Sequence, residues 1–130
     1  MNLIHGIDVV DVGRIASMLE THGQTFIDRC FTSTEQKAAE VASPEMRAQR
    51  YAARYAAKEA VLKALGTGLA GGMEWLHIGV VRENGPPMVE LTGKVAEVAS
   101  NIGITDWRLS LSHTDKIAMA SVIGIGGCDE

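Results

Sequence analysis

Apolar residues in the first third of the chain follow strand spacing and then helix spacing. Residues Leu3–Val10 are rich in β-forming side chains and predict a strand. Asp11 can cap a following helix, whose apolar positions recur at i, i+3, i+4 and i+7 and for which Gly23 is the predicted stop. Residues Thr32–Glu35 have the form of a capping box, which predicts a short helix running toward Pro44.

The longest helix is predicted from Met46 to Leu65, because this segment is rich in alanine, arginine, lysine and leucine and contains neither glycine nor proline. Gly66 should end it. Its helical wheel has one stripe of large residues and one of alanines: Tyr51, Tyr55, Leu62 and Leu65, and Ala53, Ala57, Ala60 and Ala64. Alanines allow another backbone to approach closely, so we expect this helix to be sandwiched between other elements.

The second half of the chain predicts a hairpin, a helix and a second hairpin. These are strands Trp75–Arg82 and Met88–Leu91 around the turn Asn84–Pro87, a helix with Val95, Val98, Ala99 and Ile102 that ends at Gly103, and strands Trp107–Ser112 and Ile117–Ile125. This order favours the α+β class, with a mostly antiparallel sheet on the long central helix. We expect a single domain covering residues 1–130.

The amino-acid composition indicates the class of protein and the compartment in which we expect it. A chain of 130 residues with 46% hydrophobic and 22% charged residues is typical of one globular domain. Its apolar stretches are too short to cross a membrane as a helix, and residues 1–10 do not resemble a secretory signal, so we expect a cytoplasmic protein. Cys30 and Cys128 have no metal-binding spacing and are expected to be free thiols without an assigned role.

Charge is concentrated in the long helix. The chain has a net charge of −4, which disfavours a general nucleic-acid binder. The segment 46–65 nevertheless carries five cations against the single acid Glu59, a net +4 that leaves −8 for the rest. These cations are Arg47, Arg50, Arg54, Lys58 and Lys63. Such a concentration is typical of a site for a compact polyanion.

Two carboxylates, Asp8 and Glu59, are candidate metal ligands, and each has a structural alternative. Asp8 lies in an apolar strand, where a carboxylate is costly unless it is hydrogen-bonded, paired or bound to a cation. Glu59 and Lys63 have the i, i+4 spacing of an ordinary surface ion pair. If the carboxylates converge, they suit Mg²⁺ completed by substrate phosphates, which serves phosphoryl transfer. The residue pattern alone leaves both alternatives open.

The loop after the long helix and the last predicted turn are weaker candidates. Gly66, Gly68, Gly71 and Gly72 either let the backbone approach a ligand or only cap the helix and connect it onward. His113 is either an ordinary polar turn residue or a phosphate contact. The sequence contains no phosphate-loop or dinucleotide fingerprint.

Three separated segments carry a family resemblance: Gly6–Ile15 (GIDVVDVGRI), Arg54–Gly68 (RYAAKEAVLKALGTG) and Ser110–Thr114 (SLSHT). In this order they resemble the small phosphopantetheinyl transferases of the holo-acyl-carrier-protein synthase type. The match extends over nearly the whole chain, and it implies the 4′-phosphopantetheinyl transferase fold. Any one of the motifs alone would be weak, whereas together they are specific.

The resemblance implies a role for each matching residue. Asp8 and Glu59 would hold Mg²⁺ and, with Lys63, form the catalytic group. Substrate contacts would come from the cations and from the loop and turn that hold the adenosine bisphosphate: Arg14, Arg54, Lys58, Lys63, Gly66, Gly68, His113 and Thr114. The implied assembly is a homotrimer with active sites at subunit interfaces, without nucleic acid or membrane partners.

The implied reaction transfers 4′-phosphopantetheine from coenzyme A to a serine of apo-acyl carrier protein, as in fatty-acid synthesis, and releases adenosine 3′,5′-bisphosphate. Glu59 would act as the base either directly or through a water bound to the metal. A binding module for coenzyme A without turnover and a purely structural trimer are the competing hypotheses. The sequence does not indicate which carrier proteins are accepted.

Carrier docking is the point where the sequence departs from the family. The resemblance implies basic residues on the first helix, and Arg14 is present. Thr21 and Gln24 stand where further cations are expected, which leaves Arg29 as a substitute. Docking is therefore expected to be weaker or differently placed.

Overall fold

The structure is a computed structural model that describes residues 1–127, so Cys128 lies outside the described residues. Its elements, in chain order, are β1 (Asn2–Asp11), α1 (Val12–Cys30), α2 (Ser33–Glu40), α3 (Pro44–Leu65), β2 (Ile78–Val81), β3 (Met88–Leu91), α4 (Gly93–Asn101), β4 (Ile104–His113) and β5 (Ile117–Gly126). The predicted α+β class is confirmed.

The strands form two antiparallel sheets instead of one. β5 lies in the middle of a three-stranded sheet and pairs with β1 on one side and β4 on the other. The predicted hairpin of β2 and β3 forms a separate two-stranded sheet, in which Val81 lies opposite Met88. Within residues 1–127 every strand pair is antiparallel.

The helix α3 lies between these layers, as its two apolar stripes predict. On the alanine side, β1 comes so close that a Cβ atom added to Gly6 would lie 1.9 Å from the carbonyl oxygen of Ala60. On the other side, Tyr51 and Tyr55 pack on aromatic rings of neighbouring elements. Glycine at position 6 is therefore required by packing, and it fixes the strand that carries Asp8 directly against the helix that carries Glu59.

Several helix ends follow local chemistry. The side chain of Glu35 accepts the amide N–H of Thr32 while the Thr32 hydroxyl accepts the amide N–H of Glu35, so the predicted capping box is confirmed. Gly66 ends α3 in the left-handed conformation with φ 76°. This conformation costs little for glycine and explains why the helix stops there.

Two sequence predictions need correction. Gly23 breaks the helical path as predicted, with φ 53° and ψ −131°, but the chain resumes helical geometry and α1 continues to Cys30. Burial of Phe26 and Ile27 in the core explains why this second part of α1 forms. Residues Trp75–His77 form a 3₁₀ turn, so the predicted strand begins only at Ile78.

No helix in the described part of the chain combines the length and apolarity that crossing a membrane requires.

Candidate active site

The strand β1 and the helix α3 bring the two predicted carboxylates together beside a lysine. The Nζ atom of Lys63 lies 2.9 Å from Oδ1 of Asp8. The Asp8 side chain is 12% exposed, whereas that of Lys63 is 56% exposed and reaches in from solvent. Lys63 therefore pairs with the strand carboxylate, and the alternative in which it only bridges Glu59 on the helix surface is wrong.

Glu59 completes this carboxylate cluster, which we define as Asp8, Glu59 and Lys63. Burial raises the pKa of Glu59, and the negative charge of Asp8 raises it further, while Lys63 and Arg14 oppose the increase. The two carboxylates are thus close enough to repel each other. The hydrogen bond to Asp8 in turn raises the pKa of Lys63.

This donor set fits a hard divalent cation. Two repelling carboxylates at a partly open surface suit Mg²⁺, which retains waters and accepts substrate oxygens. Within residues 1–127, no group of three histidine, cysteine, aspartate or glutamate side chains forms a fuller cage. A cation held here would therefore take most of its shell from water or substrate.

A second group of predicted residues lines a cavity of about 430 Å³, which we call the basic cleft. Its cationic and polar lining comes from α3, from the residue that follows β2 and from the end of β4: Arg50, Arg54, Arg82 and His113. Gln49 is buried, and its Oε1 lies 2.7 Å from Nδ1 of His113. This hydrogen bond fixes the imidazole ring at the edge of the cleft.

Arg54 is the residue of the basic cleft whose guanidinium group would gain most from a bound anion. Its Nε atom is buried, and it is the one such side-chain nitrogen or oxygen in the described chain without a hydrogen bond. A terminal nitrogen of the same guanidinium donates to the carbonyl of Arg50. Burial lowers the pKa of Arg54, and the nearby cations Arg50 and Arg82 act in the same direction. An anion in the cleft would supply the missing acceptor and offset this repulsion.

Arg50 and Arg82 were not predicted as site residues. Arg50 could have been found from its i, i+4 spacing to Arg54 on a cationic helix. Arg82 carried no such signal, because it reaches the cleft only through the packing of β2 against α3.

Lys58 requires a correction, because its placement contradicts the predicted phosphate contact. Its side chain is fully buried, and its Nζ atom lies 2.8 Å from Oε1 of Glu35. The ammonium also donates to the carbonyls of Trp75 and Ile78, so all three of its N–H donors are satisfied. Burial lowers the pKa of Lys58, and Glu35 opposes the decrease. Lys58 therefore has neither exposure nor a free donor for a phosphate.

The remaining predicted residues lie around these two groups. Gly68 has a positive φ of 62° in the loop after Gly66. The Thr114 hydroxyl accepts the amide N–H groups of Lys116 and Ile117 and so holds the turn between β4 and β5. Arg14 is exposed on α1 and acts on Glu59 through its charge.

The carboxylate cluster and the basic cleft share one helix but face different directions. Arg54 and Glu59 are five residues apart, which corresponds to a rotation of about 140° and a rise of about 7.5 Å. A ligand in the basic cleft of one chain would therefore not face the carboxylate cluster of the same chain.

The chain is similar to known proteins over nearly its whole length. Residues 5–120 match the model of the 4′-phosphopantetheinyl transferase superfamily. The holo-[acyl-carrier-protein] synthase of Chloroflexus aurantiacus is 43% identical over 136 aligned positions, which cover 96% of this chain and 99% of the relative. That of Koribacter versatilis is 44% identical over 119 positions, covering 91% and 94%.

Solved structures agree. An acyl carrier protein synthase from Plasmodium yoelii with ADP bound has a TM-score of 0.84 at 29% identity, covering 98% of this chain and 100% of that one. A holo-(acyl-carrier-protein) synthase from Bacillus anthracis, solved in complex with CoA (3′,5′-ADP), has a TM-score of 0.79 at 29% identity, covering 97% and 100%. The chain therefore belongs to the 4′-phosphopantetheinyl transferase superfamily, among the enzymes of the holo-acyl-carrier-protein synthase type.

Proposed function

We propose that this enzyme catalyses the Mg²⁺-dependent transfer of 4′-phosphopantetheine from coenzyme A to a serine of apo-acyl carrier protein, with release of adenosine 3′,5′-bisphosphate. The observation that carries the proposal is the convergence of Asp8, Glu59 and Lys63 where β1 contacts α3. Two relatives named as holo-[acyl-carrier-protein] synthases and a related structure with CoA (3′,5′-ADP) support the choice of substrates.

In the proposed site, Asp8 and Glu59 hold Mg²⁺, which neutralises charge on the pyrophosphate of coenzyme A when bound. Lys63 is well suited to contact the phosphates, because its side chain is exposed and, within residues 1–127, its ammonium group pairs with Asp8 alone. Its positive charge at this position stabilises the charge that develops on the transferring group.

The transfer forms a bond between the serine oxygen and the β-phosphorus and breaks the bond from that phosphorus to the bridging oxygen. The electron pair of the broken bond leaves with adenosine 3′,5′-bisphosphate, and the serine proton must be accepted. A glutamate that holds a cation is a poor base at neutral pH, which favours a route through a water over direct proton transfer. We propose Glu59 as the acceptor, either directly or through one intervening water.

The basic cleft is the proposed seat of the adenosine bisphosphate portion. Within residues 1–127 the buried Nε of Arg54 has no acceptor, and Gln49 fixes His113 at the rim. Arg50 and Arg82 add positive charge without a carboxylate partner in the cleft lining. The loop with Gly66 and Gly68 follows Lys63, so we place it beside the ligand near the carboxylate cluster. Thr114 would act by holding the turn that presents His113.

A trimer with shared active sites explains two features together. The carboxylate cluster and the basic cleft point about 140° apart on α3, so each needs the complementary half from another copy. The outer face of the three-stranded sheet is also apolar and exposed: Leu3, Ile7, Val9, Ile117 and Met119. These residues lie on paired strands β1 and β5, with Val9 opposite Met119. Such a face is expected to be covered by further copies of the chain.

Carrier docking is proposed on α1. Arg29 lines a cavity of about 250 Å³ together with apolar or half-apolar side chains, including Met18 and Phe26. Arg14 lies on the same helix near Glu59. These positions suit an acidic partner that also presents an apolar side chain. The cytoplasm is the proposed setting, as expected from the sequence, and the carrier protein of fatty-acid synthesis is the proposed partner on the basis of the resemblance.

The direct test is incubation of the purified chain with apo-acyl carrier protein, coenzyme A and Mg²⁺, followed by intact-mass analysis of the carrier. We expect the carrier to gain the mass of one phosphopantetheine group. EDTA, and a carrier whose target serine is replaced by alanine, should both abolish the gain. Tight binding of coenzyme A without any gain would indicate a binding module and contradict the proposal.

A further inference from the structure

Glu35 and Lys58 form a fully buried ion pair that the proposed chemistry does not use. Both side chains are 0% exposed, and Nζ of Lys58 lies 2.8 Å from Oε1 of Glu35. Among the described residues they are the two charged side chains in the buried set. Taking two charges out of water is expensive, and well-packed apolar residues would often serve stability equally well. A structural need for stability alone therefore explains this pair poorly.

The backbone partners of the pair show what it connects. Glu35 accepts the amide N–H of Thr32 at 2.8 Å and that of Val80 at 2.7 Å, so its carboxylate joins the start of α2 to β2. Lys58 donates to the carbonyls of Trp75 and Ile78, so its ammonium joins α3 to the start of the same strand. The carboxylate of Glu35 accepts backbone N–H groups, and the ammonium of Lys58 donates to backbone carbonyls. Exchanging the two residues would leave these backbone groups without suitable partners.

The elements joined in this way carry both halves of the site. Lys58 precedes Glu59 on α3 and lies one turn after Arg54, with which it shares a helix face. The strand β2 ends at Val81, so Arg82 of the basic cleft follows it directly. A single buried pair thus fixes α3 against β2 at the point from which the Glu59 side chain and two cleft arginines extend.

We infer that Glu35 and Lys58 are positioning residues for the transfer reaction, because their ion pair sets the rotation of α3 about its axis and the position of β2 against it. This inference rests on the proposed function. A rotation of α3 by about 20° would move a side-chain end about 5–6 Å from the axis by about 2 Å. Displacements of about 1 Å in a catalytic group are enough to lower rates by about 100-fold.

The test compares wild type with Lys58→Met, which keeps the length of the side chain and removes the charge. Glu35→Gln and the double variant Lys58→Met/Glu35→Gln close a double-mutant cycle. Val95→Ala is the matched control, since Val95 is fully buried in α4, which carries no residue of the proposed site. Assays are run at a temperature at which circular dichroism finds each variant folded.

Two readouts are measured on each variant. One is the affinity for Mn²⁺, followed by electron paramagnetic resonance in the presence of adenosine 3′,5′-bisphosphate. The other is kcat and KM for the transfer. We expect Lys58→Met to weaken Mn²⁺ binding and to lower kcat, each by about 10–100-fold, as for other residues that orient metal ligands. Glu35→Gln should act in the same direction, and the double variant should be no worse than Lys58→Met alone.

Two results would overturn the inference. One is a folded Lys58→Met variant with wild-type Mn²⁺ affinity and kcat. The other is a Val95→Ala variant that loses as much of both at equal loss of melting temperature, since that would assign the effect to stability. If Lys58→Met does not fold, Glu35→Gln is judged by the same criteria. If wild type transfers nothing while the variants still change Mn²⁺ affinity, the proposed function fails, and the pair positions the metal ligand Glu59 without serving a transfer.

Discussion

Lys58 and Lys63 lie five residues apart on α3, and each pairs with a carboxylate, yet their surroundings are opposite. Lys58 is fully buried with Glu35, whereas Lys63 is 56% exposed and reaches Asp8 from solvent. A buried pair is costly to form and costly to break, while an exposed pair contributes little to stability and leaves its lysine available for ligands. Two lysines of one helix can therefore form ion pairs with different roles: the buried pair of Lys58 holds neighbouring elements together, and the exposed pair of Lys63 leaves the lysine accessible to a ligand.

The largest effect should follow from removing a carboxylate of the exposed cluster. Asp8→Ala and Glu59→Ala are each expected to lower transfer by about 10³-fold or more, because each removes half of the protein ligands of the proposed Mg²⁺ site. The mass gain of the carrier protein measures this loss.

Asp106→Ala is the control for that experiment, since Asp106 is an exposed carboxylate of β4 that pairs with Arg108. Both site variants should remain folded and keep the native mass of wild type. Near-normal rates for either one at limiting Mg²⁺ would contradict the metal assignment.

Truncating the two lysines tests the comparison itself. Lys58→Ala should lower the free energy of unfolding by about 3–5 kcal/mol, because it leaves Glu35 buried without its partner. Lys63→Ala should change stability by less than about 1 kcal/mol but lower kcat strongly. Urea unfolding and transfer kinetics measure the two effects. Equal stability losses for both lysines would break the contrast.

The basic cleft should act on substrate binding. Arg54→Met is expected to raise KM for coenzyme A by about 10-fold or more, since it removes the buried Nε donor that has no acceptor among the described residues. For dephospho-coenzyme A, which lacks the 3′-phosphate, the same substitution should have a smaller effect if Arg54 meets that phosphate. Lys94→Met, which alters an exposed pair with Glu97, is the control. An equal increase in KM for both substrates would show that Arg54 does not contact the 3′-phosphate.

The smallest effect concerns the pH dependence that Glu59 confers. Its folded-state pKa is raised above the ordinary value, so ionised Glu59 lowers stability, and this cost appears as the pH rises through the raised pKa. Glu59→Gln should therefore raise the melting temperature in EDTA at neutral pH by about 1–2 °C and have no such effect in acid.

Mg²⁺ provides the complementary measurement, because a bound cation relieves the same repulsion. We expect Mg²⁺ to raise the melting temperature of wild type in differential scanning fluorimetry and to do so less for Glu59→Gln. A Glu59→Gln variant that is less stable than wild type at neutral pH in EDTA would show that burial and Asp8 do not destabilise ionised Glu59.

The sequence predicts α3 and its C-terminal end, because helix propensity and the Gly66 stop are encoded within a few residues. The helix begins at Pro44, two residues before the predicted Met46, because proline is tolerated in the first turn. It also predicted that Asp8 and Glu59 meet, but only through the family resemblance. Spacing alone left each with a structural alternative. The close contact of Gly6 with Ala60 now supplies the physical reason for their convergence.

Other parts of the site could not be predicted in the same way. The capping box predicted the local hydrogen bonds of Glu35 but not its ion pair with Lys58, because that pair depends on where α2 docks. The resemblance implied a phosphate contact for Lys58, since nothing in the sequence shows which side of the helix its neighbours cover. Arg82 became a cleft residue only through the packing of β2.

The sequence by itself determined the type and order of most helices and strands, that an acidic chain concentrates its cations on one helix, and to which family the motifs point. Tertiary structure alone decided which lysine meets which carboxylate. Lys63 and Asp8 are 55 residues apart in sequence, and their contact exists because β1 packs on α3 through Gly6. Local patterns set backbone conformation, whereas burial and charge pairing depend on the surfaces that distant segments bring together.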